Sequence, residues 1–126
     1  MSNLQEIRDE LALLVPAGFS TYSTLPSNAN LPAVVIDLPE SITFDGSLRF
    51  STITMKVIVV IGTSFGPEVE AKLLFESMAI AKIFASTSGS SYRSCMVQSI
   101  DSFYNITIGS KEALSASITL QLLAEL

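Results

Sequence analysis

From Arg49 to Gly62 the chain reads RFSTITMKVIVVIG, a single long β-strand. Ser and Thr alternate with apolar residues at its start, and its end is unbroken apolar sequence. Successive side chains of a strand point to opposite sides. Ile53, Met55, Val57, Val59 and Ile61 therefore mark one face, and Thr52, Thr54, Lys56, Ile58 and Val60 the other. The first half is one-sided, whereas the second half is apolar enough to be buried on both sides. A strand this long needs partners, so the fold has to contain a sheet. It also outgrows the core of a small domain and is expected to extend towards something else.

The flanking sequence supplies those partners. Ala33 to Leu38 (AVVIDL) is a compact β-branched run, hence a buried strand. Pro39 interrupts it, which predicts an edge position or a bulge. The segment ESITF resumes the strand up to Asp45-Gly46, the strongest short hairpin signal. The long strand then returns antiparallel. Phe19 to Tyr22 reads as a short strand, and LPSNANLP (25–32) as a loop. Near the end, Met96 to Ile108 forms a strand with Ile100, Tyr104, Ile106 and Ile108 on one side. Gly109 to Glu112 makes a turn, and the last strand alternates Leu114, Ala116, Ile118, Leu120 and Leu122 with Ser115, Ser117, Thr119 and Gln121.

Two helices complete the pattern. Ser2 and Gln5 have capping-box spacing, and Leu4, Ile7, Leu11 and Leu14 follow at helical intervals until Pro16 and Gly18. The second helix follows GTSFGP, with Pro67 near its first position and Glu68, Glu70 and Lys82 placed to complement its dipole. Lys72 has the spacing to pair with Glu68 and Glu76. Val69, Leu73, Ile80 and Phe84 form one stripe, and Ala71, Leu74, Met78 and Ala81 lie on a different face. Such a helix lies between two layers or shows one face to a neighbour. STSGSS (86–91) reads as a flexible linker.

At 126 residues the chain is one domain, residues 1–126, and is long enough to bury a core without staples. With 48% hydrophobic residues it is not disordered. Only 15% are charged, so Ser and Thr supply most of the polar surface, a texture suited to contact with other protein. The net charge of −5 and the lack of a basic run argue against a nucleic-acid grip. That balance fits a surface past which nucleic acid slides without sticking. No signal peptide is expected from MSNLQEIRDE. The longest apolar run, Val57 to Ile61, is far below a membrane span.

Catalytic chemistry has little to work with. The sequence has no His, the commonest general base and metal ligand. The lone Cys95 cannot form an internal disulfide and is expected to be a small buried residue, with a reducing compartment or indifference to redox implied. Asp37, Glu40 and Asp45 have the spacing to meet around the hairpin, but no loop has the oxygen density of a calcium site. The GTSFGP connector lacks the Gly-Lys-Ser/Thr ending of a P-loop. Phe103 and Tyr104 face opposite sides of a strand and make no stacking platform. No enzyme, cofactor or metal is expected.

Taken together, LQEIRDELALLV, LPAVVIDLPESITFDG, RFSTITMKVIVVIG, EVEAKLLFESMAIAKIF, VQSIDSFYNITIG and ALSASITLQLLAEL resemble, in order and texture, the tail-terminator proteins of long-tailed phages, also called tail completion or minor tail proteins. The likeness spans nearly the whole chain without an invariant signature, and the hairpin tip is shorter than family members often carry. The resemblance implies an α+β fold, a single mixed, mainly antiparallel sheet with two helices packed on one face. It implies a virion protein, made in the host cytoplasm, whose copies form a ring, a hexamer, on the tail tube at the head–tail junction. That ring ends tube polymerisation, contacts the tail-tube protein and the head–tail connector proteins, and lets DNA pass. No catalytic residue is implied. The interface candidates are Leu74, Phe75 and Met78 on the second helix and Glu40, Asp45 and Arg49 on the hairpin from Asp37 to Arg49. Two other readings stand beside this one: a head-side connector or neck protein, and a small ligand-binding domain using the Gly62 to Pro67 turn.

Overall fold

A computed structural model of the chain describes residues 3–24, 26, 28–44, 50–63, 66–85, 89–108 and 110–126, with the side chains of 102–105 left aside. The element order is α1 (Leu4–Leu13), β1 (Ser20–Tyr22), β2 (Ala33–Phe44), β3 (Ser51–Gly62), α2 (Pro67–Ala85), β4 (Ser94–Ile108) and β5 (Lys111–Ala124). The strands form one five-stranded sheet in the order β1-β2-β3-β5-β4. Only the β1–β2 pair is parallel; the other three pairs are antiparallel. The fold is therefore α+β, with a single mixed, mainly antiparallel sheet.

Both helices pack on one face of that sheet. Ile7 and Leu11 of α1 and Leu73, Ile80 and Phe84 of α2 share a core with Ile53, Met55, Val57 and Val59 of β3 and Ile118, Leu120 and Leu122 of β5. The alternation of β3 and β5 dictates this, because each helix-side residue of one strand sits opposite a helix-side residue of the other, as in Val57↔Ile118 and Met55↔Leu120. Burying these aliphatic side chains contributes about 1.5–3 kcal/mol each against exposure.

Several local expectations are corrected. The cap of α1 is Asn3, whose side chain accepts from the Glu6 N–H at 2.8 Å and donates to the Glu6 carboxylate at 3.0 Å. Asn3 is thus a side-chain N-cap, one residue later than the Ser2–Gln5 spacing suggested, and Ser2 lies outside the described residues. β3 starts at Ser51, while Arg49 and the Asp45-Gly46 turn lie outside the described residues. Ala81, beside Met78 on the second face of α2, is buried and reaches the core, and Ser77 is buried beside it, its hydroxyl donating to the Leu74 carbonyl at 3.2 Å. Lys72 forms no ion pair with Glu68 or Glu76. Lys111 and Glu112 are already in β5, Ser110 is in a turn, and Gly109 lies outside the described residues.

The largest correction concerns β4. Register shifts between Val97 and Ser99 and between Asp101 and Tyr104 turn the strand over along its length. Ile100 consequently pairs with Ile118 and packs against the helix-side core, whereas Ile106 and Ile108 join Val60 and Ala113 in a second cluster. They do not share a side. Ala29 and Leu31, from the loop between β1 and β2, close that second cluster, which is why the end of β3 is buried on both faces.

The segment after α2 is held down as well. The Glu10 carboxylate accepts from the Ser90 N–H at 2.7 Å, the Ser90 hydroxyl at 2.9 Å and the Ser91 N–H at 2.6 Å. Ser91 and the next residue, Tyr92, are buried. Residues 90 and 91 are thus an anchored turn where composition suggested a loose linker, and residues 86–88 lie outside the described residues.

Candidate interaction surface

Pro67 opens α2, preceded by Gly66 at φ +145°, a backbone conformation that L side chains rarely adopt. The helix seats Leu73, Ile80 and Phe84 in the core, so the positions one-third of a turn away point outward. Leu74, Phe75 and Met78 are 56%, 72% and 51% exposed. Three large apolar side chains on neighbouring turns form the kind of patch that marks a contact with another molecule.

Below Met78 the patch continues into a shallow groove of about 440 Å³ between α2 and β4. Met78, Ala81 and Ala85 form one wall and Val97 and Ile100 the other, with Lys82 at the side. Nothing in the sequence marked Val97 and Ile100 as part of this surface, because the bulges that aim them at α2 have no composition of their own. Among the described residues Lys82 has no ion-pair partner.

The hairpin candidates lie elsewhere. Glu40 sits on β2, three strand positions from β4 and so ~14 Å across the sheet. Its carboxylate is 3.9 Å from the Lys56 ammonium. Both side chains are well exposed, so that pair is weak. Asp37 accepts from the N–H of Leu38 at 2.8 Å. Asp45 and Arg49 lie outside the described residues. Two further apolar side chains stand out on β2, Leu38 at 65% and Phe44 at 72% exposure. The apolar–polar alternation of SITF held that signal for Phe44.

The remaining groups offer little chemistry. Cys95 is buried in the helix-side core, and burial pushes its thiol up to about 11, which keeps it protonated and unreactive. No group of three or more metal-ligating side chains occurs among the described residues. Ser115, Ser117 and Thr119, on the sheet face away from the helices, are almost fully buried although no helix covers them. They are short side chains on an inner strand, β5, overshadowed by taller neighbours such as Ile58 and Lys56 of β3.

No helix of the described chain is long and apolar enough to cross a membrane. No protein-family model matches the sequence, and no curated protein matches it.

Proposed function

We propose that this chain is a structural subunit of a phage virion that assembles as a ring on the tail tube, ends tube polymerisation and forms the head–tail joining surface. The observation that carries the reading is the unpartnered apolar face of α2, Leu74, Phe75 and Met78, continuing into the groove beside β4. A surface of this kind asks for another protein chain more than for a small molecule, since it is open and lined by aliphatic side chains with few polar groups to orient a ligand. The resemblance in element order supplies the kind of assembly. The net charge of −5 accords with a ring that DNA traverses without binding, and the partners are further copies of the chain, the tail-tube protein and the head–tail connector proteins.

Quantitative mass spectrometry of purified particles tests this reading. A closed ring of identical subunits predicts about six copies per particle. Absence from the particle defeats it.

A further inference from the structure

The turn that leads into β4 grips a carboxylate with both hands of that group engaged. One oxygen of Glu10 accepts from the Ser90 N–H at 2.7 Å and the Ser90 hydroxyl at 2.9 Å, and the other accepts from the Ser91 N–H at 2.6 Å. Successive backbone N–H groups that point the same way make a concavity suited to an anion. Among the described residues no other acceptor serves either N–H. Ser91 is buried, and a buried N–H left without an acceptor is costly.

Gly89 shapes the space for that anion. A Cβ there would lie 2.8 Å from the Glu10 Oε1 and 2.8 Å from the Tyr92 Cε1. A side chain at this position would push into the volume that the carboxylate occupies. The turn is also held by contacts in which Glu10 takes no part. The Gly89 N–H donates to the Tyr92 carbonyl at 3.3 Å, and the Arg93 N–H donates to the Leu123 carbonyl at 2.7 Å. Tyr92 is buried in the helix-side core. The donors are therefore set in place by β5 and the core as well as by the group they receive.

We infer that residues 89–91 form a carboxylate-binding site in their own right, which Glu10 fills as a tethered ligand carried by α1. The inference is independent of the ring reading. Geometry and charge give the ligand class. Both oxygens are engaged, and among the described residues no Lys or Arg side chain pairs with the group. Three neutral donors suit a planar, singly charged carboxylate better than a doubly charged oxyanion, which asks for a cation. Tethering gives Glu10 a high effective concentration, so a free carboxylate does not displace it while α1 is seated. Glu10→Ala keeps Cβ and removes the rest of the side chain, and acetate supplies those missing atoms.

The test is urea unfolding of the whole chain at pH 7, in sodium acetate against sodium chloride of equal ionic strength. For Glu10→Ala, about 100 mM acetate should lower the unfolding constant about threefold relative to chloride, as a ligand with a Kd of about 50 mM does. Wild type should not respond, because its site is filled. Glu10→Ala combined with Gly89→Ala should not respond either, because the added Cβ takes the space. In NMR spectra of Glu10→Ala, the Ser90 and Ser91 amide signals should move saturably with acetate. Should Glu10→Ala be unfolded in chloride, acetate should restore its native circular dichroism by the same mass action. A gain that wild type shares is the general effect of salt on burial and overturns the inference. So does a gain that survives Gly89→Ala, or no gain beyond chloride.

Discussion

The Glu10 carboxylate meets the backbone N–H of Ser91 at 2.6 Å, tying α1 to the turn that leads into β4. Ser90 adds its own N–H and hydroxyl to the same carboxylate. The two ends of this tie are 81 residues apart in the chain, so it fixes where α1 lies relative to the exit of α2. The loop thereby delivers β4 to its edge position beside the groove.

The tie should be sensitive to acid. Slight burial pushes the Glu10 carboxyl up, but the three hydrogen bonds from Ser90 and Ser91 outweigh it and hold the group below its ordinary value of 4.5. A lowered pKa contributes stability that is fully present above the unfolded-state value and disappears as pH falls through the folded one. Wild type should therefore lose stability on going from pH 6 to below about 4 more steeply than Glu10→Gln. At neutral pH Glu10→Ala should cost about 1 kcal/mol, a modest figure because the carboxylate is solvated. Urea titrations at several pH values read both effects.

Gly89 stands against this tie. A Cβ built there falls 2.8 Å from the Glu10 Oε1 and 2.8 Å from the Tyr92 ring. Gly89→Ala should destabilise by about 1 kcal/mol, since Tyr92 is buried and cannot simply swing aside. In an Glu10→Ala background the cost should shrink, because one of the two obstructing groups is gone. A double-mutant cycle from thermal or urea unfolding measures the difference.

Ser117 should be replaceable with profit to the monomer. Its hydroxyl is buried on an inner strand, β5, with no hydrogen-bond partner among the described residues. Such a group carries a desolvation penalty of about 1–3 kcal/mol, which alanine does not incur, though the void left behind returns part of it. Ser117→Ala should raise the urea midpoint, corresponding to a gain of about 1 kcal/mol. An unchanged or lower midpoint would show that the hydroxyl is satisfied in solution.

Cys95 should be silent to thiol reagents in the folded chain. It is 7% exposed, and burial lifts its pKa to about 11. Labelling by an aromatic disulfide at pH 8 should be at least a hundredfold slower than in urea, since both thiolate population and access fall. A raised thiol pKa also means that its contribution to stability is intact below the ordinary value of 9.0 and declines as pH rises towards 11.

Much of this architecture was legible from local pattern. The 2-residue period of β3 and β5 named the residues of the helix-side core, and Ile53, Met55, Val57, Val59, Ile118, Leu120 and Leu122 are all buried there. Pro39 announced the irregularity in β2 that the register shifts display. On α2, the 3.6-residue period separated Leu73, Ile80 and Phe84 from the exposed Leu74 and Met78, while Ala81 on the Met78 side is buried because its side chain is short. What was not legible depends on contacts distant in sequence. Nothing local to Glu10 marks it as an anchor, and Ser90-Ser91 read as a linker by composition; only the fold brings them together. The wall of the groove was hidden because the bulges in β4 decide which way Val97 and Ile100 face.

The sequence by itself determined which elements form, since their periods and their turn and cap residues are local properties of a few neighbouring side chains. It also determined that any chemistry must do without His and with a single Cys. Only the tertiary structure decided that β4 is a long open edge, that α2 lies beside it with Met78 uncovered, and that Arg8 and Asp37 close the nearer part of the opposite edge. Strand order and bulges arise from pairing between segments far apart in the chain, and no local pattern encodes which edge is left without a neighbour.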